Sequence, residues 1–303
     1  MGNKLKHLIT VDDFTIDFIN LVFGIADGIV ENPSKYSESL IGKILTTNFY
    51  EPSTRTSASF QAAMLKLGGS VIPINEVAYS SVTKGETLPD TIRTLAQYSD
   101  VIALRHPDDN ASKIASNYSE DVPIINAGNG TKEHVTQAML DLYTIYRERK
   151  TIDGLTVTFV GDLLHGRTVH SLVKLLRKYD VKINFVSPEC FKIPTEYLIP
   201  NDFETDDLKS VLHQTDVLYV TRIQKERFNQ DKLITVYTDD YCINKQVMEG
   251  AKPDTIVLHP FPRNNEINTD FDDDPRAAYF RQIKNGLYIR MALLLYLLNT
   301  YIY

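Results

Sequence analysis

Residues 41–60 read Ile41-Gly42-Lys43-Ile44-Leu45-Thr46-Thr47-Asn48-Phe49-Tyr50-Glu51-Pro52-Ser53-Thr54-Arg55-Thr56-Ser57-Ala58-Ser59-Phe60. The short apolar stretch Ile41–Phe49 predicts a strand. Glu51-Pro52 predicts a turn, and the hydroxyl residues after it open a helix with Phe60, Met64 and Leu67 on one face. Strand, polar turn and helix in immediate succession form the repeating unit of a parallel α/β sheet.

The same alternation extends in both directions. Val101–Leu104 and Val122–Ile125 read as further strands of the first half. Thr156–Val160, Val181–Val186, Val217–Val220 and Thr255–Leu258 read as strands of the second. A long helix, Glu133–Arg149, joins the two sets, and a leucine-rich helix, Gly286–Leu298, closes the chain. The predicted architecture is α/β, with two domains, each a mainly parallel sheet flanked by helices, and the active site in the interdomain cleft. Residues 1–132 form the first domain and 133–150 the linking helix. Residues 151–285 form the second domain, and 286–303 a helix returning to the first. A length of 303 residues suits two domains of roughly 100–200 residues each.

Composition narrows the function. With 43% hydrophobic residues, 23% charged and 14 glycines, the chain builds a core and is neither disordered nor fibrous. Cys190 and Cys242 are too few for a disulfide framework and lack metal-ligand spacing, which suits a reducing cytoplasm. No apolar run reaches the roughly 18 residues of a membrane helix; Met291–Leu298 follows Arg290 and reads as core. Lys6 stands where an N-myristoylation signal needs Ser or Thr, and no secretory signal is expected. A net charge of −7 disfavours nucleic acid and anionic membrane, while leaving small anions open to a local cluster of cations.

Polar motifs gather after the strands, where open α/β sheets bind ligands. Ser53-Thr54-Arg55-Thr56 at a helix N-terminus either caps the helix or grips a phosphate with N–H groups, hydroxyls and a guanidinium. Lys84, in the polar stretch from Ser80 to Thr87, reads on its own as a solvated loop lysine, and Thr87 with Asp90 resembles a capping box. Arg105 follows a strand, pointing into a ligand crevice or forming a surface ion pair. Asn126–Thr131 predicts a Gly-Asn loop, after which His134 and Gln137 share a face of the long helix. A helix N-terminus favours neutral imidazole, a donor to a polarised carbonyl; a backbone-satisfied buried histidine is the plainer alternative. Gly161-Asp162-Leu163-Leu164-His165-Gly166-Arg167 lacks the G-x-G-x-x-G spacing of a dinucleotide turn, and its arginine suits a carboxylate or phosphate held bidentately. Arg222 and Gln224 alternate and so project to one side of an extended chain. In His259-Pro260-Phe261-Pro262-Arg263 two prolines stiffen the backbone and present its carbonyls as acceptors. Asp272-Asp273-Asp274 reads as a solvated turn. Nothing has the spacing of a zinc or calcium site, so no metal and no cofactor are expected.

Taken together and in this order, the motifs resemble the aspartate and ornithine carbamoyltransferase family, from about Phe49 to Leu298. Ser81 with Lys84 before Gly85-Glu86-Thr87, Thr221-Arg222-Ile223-Gln224, and His259-Pro260-Phe261-Pro262-Arg263, where ornithine enzymes typically carry a cysteine after the histidine, favour the aspartate branch. The resemblance implies carbamoyl transfer from carbamoyl phosphate to L-aspartate, with ornithine as the alternative acceptor. It implies that Ser53, Thr54, Arg55, Thr56 and Arg105 hold the phosphate, and that Thr56, Arg105 and His134 face the carbonyl oxygen. Gln137 and the backbone carbonyls of Phe261 and Pro262 would receive the carbamoyl NH2 group. Arg167, Arg222, Gln224 and Lys84 would bind aspartate, Lys84 also serving catalysis, and Ser81 and Lys84 would reach the site from a neighbouring subunit of a homotrimer. Regulatory chains are a possible further partner. Two positions depart from the family pattern: Ser57 stands where many relatives carry arginine, and Phe261 where leucine is usual. A non-catalytic anion-binding subunit would have no use for the donors around a developing oxyanion, and a nicotinamide-dependent dehydrogenase would need the missing glycine fingerprint.

Overall fold

The structure, a computed structural model, describes residues 4–74, 85–222 and 241–298. The chain divides into two compact units, Met1–Leu140 with Lys284–Tyr303, and Asp141–Ile283.

The first unit holds a four-stranded sheet of β1 (Ile44–Phe49), β2 (Ser70–Ile74), β3 (Val101–His106) and β4 (Ile124–Asn129), in the order β2-β1-β3-β4. All its pairings are parallel. Its helices are α1 (Ile16–Glu31), α2 (Thr54–Lys66), α3 (Leu88–Ala96) and α4 (Ala111–Tyr118), with parts of α5 (Val135–Arg149) and α8 (Tyr279–Leu297). Ile92 and Leu95 of α3 and Ala111 and Ala115 of α4 pack on Ile102, Leu104 and Ile124 of the sheet. Thr87 caps α3 by accepting the Asp90 N–H at 3.3 Å. Its hydroxyl proton goes to the Asp90 carboxylate at 2.9 Å, so the two side chains bond to each other as well.

The second unit holds β5 (Thr156–Val160), β6 (Lys182–Val186), β7 (Phe203–Thr205), β8 (Val217–Val220) and β9 (Ile256–Leu258), in the order β7-β6-β5-β8-β9 and again all parallel. Its helices include α6 (Arg167–Leu176) and α7 (Leu208–Leu212). Val160, Val186, Leu218, Val220 and Val257 from the strands pack with Leu208, Val211 and Leu212 of α7.

The structure departs from the sequence expectations at several elements. β2 and β7 lie outside the predicted strands. Both are edge strands; β2 contains Pro73, which an edge tolerates, and β7 has only three residues. β4 runs on through Asn126–Asn129, expected as loop, because the buried Asn126 and Asn129 amides find Ile9 O at 2.9 Å and Ser112 Oγ at 2.7 Å. Tertiary partners there override poor strand propensity. α8 starts at Tyr279 and not at Gly286, which lies inside the helix. A Cβ at Gly286 would stand 2.9 Å from Leu140 Cδ2, so this glycine serves close packing on α5.

Candidate active site

In each unit the strand order reverses beside the first strand of the set, between β1 and β3 and between β5 and β8. At such a switch point the loops leaving adjacent strands diverge and open a crevice at the carboxyl ends. Of the motifs read from the sequence, Ser53–Thr56 follows β1, Arg105 lies near the end of β3, and Arg167 and Arg222 follow β5 and β8.

In the first unit, β1 delivers Tyr50–Ser53 and then α2. Ser53 occupies the N-cap position but makes no side-chain cap bond, so capping does not account for its hydroxyl. The first-turn N–H groups, which point out of a helix end, belong to Thr54, Arg55 and Thr56. Arg105 lies within β3, one residue past the expected strand end, because the strand continues to His106 and pairs Arg105 with Phe49. Its carbonyl accepts the Tyr50 N–H at 2.8 Å, and its Nε lies 3.4 Å from Glu51 Oε2. Only 12% of the Arg105 side chain is exposed. His134 precedes α5, and its carbonyl accepts the N–H groups of Gln137 at 3.0 Å and Ala138 at 3.1 Å. The His134 ring is buried, with Nε2 3.4 Å from Thr56 Oγ1. Gln137 is half-buried and Arg55 exposed. The stretch Glu51–Thr56 therefore reaches Arg105 at one end and His134 at the other.

In the second unit, β5 is followed by Gly161, whose φ of 121° and tight surroundings admit no side chain: a Cβ would stand 2.2 Å from Thr221 O. The loops after β5 and β8 are thus in contact. Thr221 Oγ1 donates to Val160 O at 3.2 Å, and the wholly buried Asp162 side chain accepts the His165 N–H at 3.1 Å. α6 opens at Arg167, as expected, with Gly166 at its N-cap. His170 reaches back from that helix and donates from Nε2 to Leu163 O at 2.9 Å; burial holds its imidazole below the ordinary range and therefore neutral. Arg167 and Arg222 are half-buried.

The segment after β9 is fixed by its histidine. His259 Nδ1 accepts the Phe261 N–H at 2.8 Å, so the proton sits on Nε2, which donates to Glu266 Oε1 at 2.8 Å. Burial depresses the His259 imidazole; Glu266 opposes this, while the charges of Arg263 and Arg222 add to it. Burial alone would raise the Glu266 carboxyl, yet hydrogen bonds from His259 and the Asn264 N–H hold it below the usual carboxylate range. Phe261 sits at φ 55°, a left-handed conformation uncommon for a bulky residue. Its ring lies 5.3 Å from His259, 5.9 Å from Tyr279 and 5.6 Å from Phe280. Pro262 is exposed.

Two regions of the chain match family descriptions. Residues 6–147 match "Aspartate/ornithine carbamoyltransferase, carbamoyl-P binding domain", and residues 153–297 match "Aspartate/ornithine carbamoyltransferase, Asp/Orn binding domain". The chain belongs to the aspartate/ornithine carbamoyltransferase family. It is 47% identical over 305 residues to the aspartate carbamoyltransferase catalytic subunit of Clostridium acetobutylicum, covering 98% of this chain and 99% of that one. Among solved structures, the catalytic subunit of M. jannaschii aspartate transcarbamoylase is similar at a TM-score of 0.91 and 45% identity, covering 97% of this chain and 98% of that one. Aspartate transcarbamoylase from Trypanosoma cruzi, in complex with N-(phosphonacetyl)-L-aspartic acid, is similar at a TM-score of 0.90 and 42% identity, covering 96% and 95%.

Within this carbamoyltransferase family, Ser53–Thr56, Arg105, His134 and Gln137 lie in the stretch matched by the carbamoyl-phosphate domain; Arg167, Arg222, Phe261 and Pro262 lie in the stretch matched by the Asp/Orn domain. Ser81, Lys84 and Gln224 fall outside the described residues. One expectation is corrected. The Asp272–Asp274 run is not merely a solvated turn: Asp272 takes both terminal nitrogens of Arg263 and the Tyr279 hydroxyl, and Asp274 takes Nε and Nη2 of Arg276. Sequence motifs also do not reveal Asp141, Glu266 and Gln282, buried polar groups that themselves lie outside the motifs. Among the described residues, no group of acidic, histidine or cysteine side chains forms a metal site, and no helix is long and apolar enough to cross a membrane.

Proposed function

We propose that the chain transfers the carbamoyl group of carbamoyl phosphate to the amine of L-aspartate, giving N-carbamoyl-L-aspartate and phosphate. The observation that carries this reading is the reach of one short stretch: Glu51 meets Arg105, and Thr56 meets His134, at the open end of α2. A helix N-terminus with hydroxyls and arginines suits a phosphate. A hydroxyl, a guanidinium and an imidazole suit the oxygen of the group attached to it.

In this reading Ser53, Thr54, Arg55, Thr56 and Arg105 hold the phosphate. Gln137 and the backbone carbonyls of Phe261 and Pro262 accept hydrogen bonds from the carbamoyl NH2. Arg167, Arg222 and Gln224 bind the aspartate carboxylates and set its amine toward the carbamoyl carbon. The amine lone pair forms the new C–N bond, and negative charge develops on the carbonyl oxygen, where Thr56, Arg105 and His134 stabilise it. Such preorganised donors are typically worth about 10²–10³ in rate each. Collapse breaks the bond to the phosphate oxygen, and the departing phosphate takes the amine proton. Holding both substrates turns an encounter in solution into a nearly unimolecular step.

The reading extends to a homotrimer in which Ser81 and Lys84 complete a neighbour's site, with regulatory chains as a possible partner. It puts the reaction in the cytoplasm as a step toward pyrimidines, in keeping with two cysteines that form no disulfide. Purified protein given carbamoyl phosphate with aspartate, and in parallel with ornithine, should form carbamoyl-aspartate only; citrulline as the sole product would overturn the assignment of Arg222 and Gln224. Lys84→Gln and Arg105→Ala proteins, each inactive alone, should regain partial activity when mixed and reassembled. No recovery in confirmed mixed trimers would remove the shared site.

A further inference from the structure

Asp141 has no part in the reaction as described, yet its side chain is wholly buried in the second unit, where a carboxylate is costly unless several donors meet it. Tyr219 of β8, also wholly buried, donates its hydroxyl to Asp141 Oδ2 at 2.7 Å. Gln282 of α8 donates from Nε2 to Asp141 Oδ1 at 2.6 Å. Each partner reaches further. Tyr219 lies in β8, which pairs with β5 and ends two residues before Arg222; burial and the Asp141 charge push its phenol well up, which keeps it a donor. Gln282 uses its Oε1 to accept the His259 N–H at 2.9 Å, and His259 in turn holds the Phe261 N–H.

We infer that Asp141 is a positioning residue, one carboxylate from which both substrate-contacting segments of the second unit are hung. Its Oδ2 arm holds Tyr219, three residues before Arg222, and fixes the strand end that carries that arginine. Its Oδ1 arm runs through Gln282 to His259 and fixes the backbone that carries the Phe261 and Pro262 carbonyls. The two arms predict different defects, because the first serves the aspartate carboxylates and the second the carbamoyl NH2 group. The inference rests on the proposed reaction.

The test is steady-state kinetics on full-length variants, with both substrates varied. Tyr219→Phe deletes one hydroxyl and should raise the aspartate KM about fivefold, the factor equivalent to one hydrogen bond, with the carbamoyl phosphate KM within about twofold. Gln282→Leu should reverse that pattern. Asp141→Asn removes the charge and leaves one acceptor oxygen for two donors, and should disturb both constants. Adding Gln282→Glu to Asp141→Asn restores the bonds among Tyr219, residues 141 and 282, and His259, with one direction reversed. The amide now at position 141 donates to the carboxylate now at position 282, which still accepts the His259 N–H. The double variant should recover both constants to within about twofold of the unaltered protein. Should Asp141→Asn fail to fold, the two single-arm variants still decide. Constants that move together in each of them, or not at all, overturn the inference alone. Absence of carbamoyl-aspartate from the unaltered protein overturns the proposed reaction and this inference with it.

Discussion

The two units share a sheet logic and differ in how they hold their polar groups. In the first, the groups at the switch point come mostly from one run of sequence, and the helix end supplies N–H directions that the backbone alone determines. In the second, the groups are arginines and bare carbonyls in three separate loops, supported by carboxylates remote in sequence or outside the motifs: Asp141 beneath Tyr219 and Gln282, Glu266 beneath His259, Asp272 beneath Arg263. A phosphate site can be built from main chain. A site that grips a flexible dicarboxylate needs side chains, and buried side chains need partners.

Four experiments probe this contrast. The largest effect should come from His134→Ala in the first unit, which removes a proposed donor to the developing oxyanion: kcat should fall about 10²–10³-fold with little change in either KM. A change confined to KM would make His134 a binding residue only. Next, Gly161→Ala in the second unit forces a Cβ against Thr221 O at a positive φ and should lower the melting temperature by on the order of 10 °C. An unchanged melting point would mean that the loops after β5 and β8 are not rigidly joined.

Glu266→Gln is smaller, with a cost of about 1–3 kcal/mol at pH 7 for the mismatched donors around His259. Its pH signature is specific. A carboxyl depressed in the fold contributes stability above its unfolded value of about 4.3 and loses that contribution as pH falls through the folded value. The variant should therefore lack part of the acid fall seen below about pH 4.3. His259 acts earlier: kept neutral by burial, it costs stability as pH drops below about 6.5, where the unfolded chain takes up the proton, and that limb should persist in the variant. The smallest effect, about 1 kcal/mol, is expected for Thr87→Ala, which removes a helix cap in the first unit and should leave the second unit's hydrogen exchange untouched.

The same contrast explains what could be read in advance. β5 and β8 were legible to the residue, and β1, β3, β6 and β9 to within a few residues, because buried parallel strands are continuous apolar runs bounded by turn residues. β2 and β7 were not, since an edge strand need not be apolar throughout and pairs on one side only. Ser53–Thr56 stood out because a contiguous motif at a strand–helix junction carries its own geometry. Arg167 and Arg222 stood out only by position. The supports beneath them were invisible: nothing local distinguishes Asp141, amid a long helix, from a solvated aspartate, and only the fold brings it to Tyr219, 78 residues on, and Gln282, 141 residues on.

Ser53 leaves α2 without a side-chain cap, and this has a consequence for the protein's persistence. A helix start completed by an anion is stabilised by whatever concentration of that anion surrounds it, in proportion to the logarithm of its saturation. On the proposed reading, carbamoyl phosphate and inorganic phosphate each act as the missing end piece of α2. The folded population then rises with substrate supply and ebbs with starvation, so that turnover of the catalyst itself is coupled to the supply of its substrate.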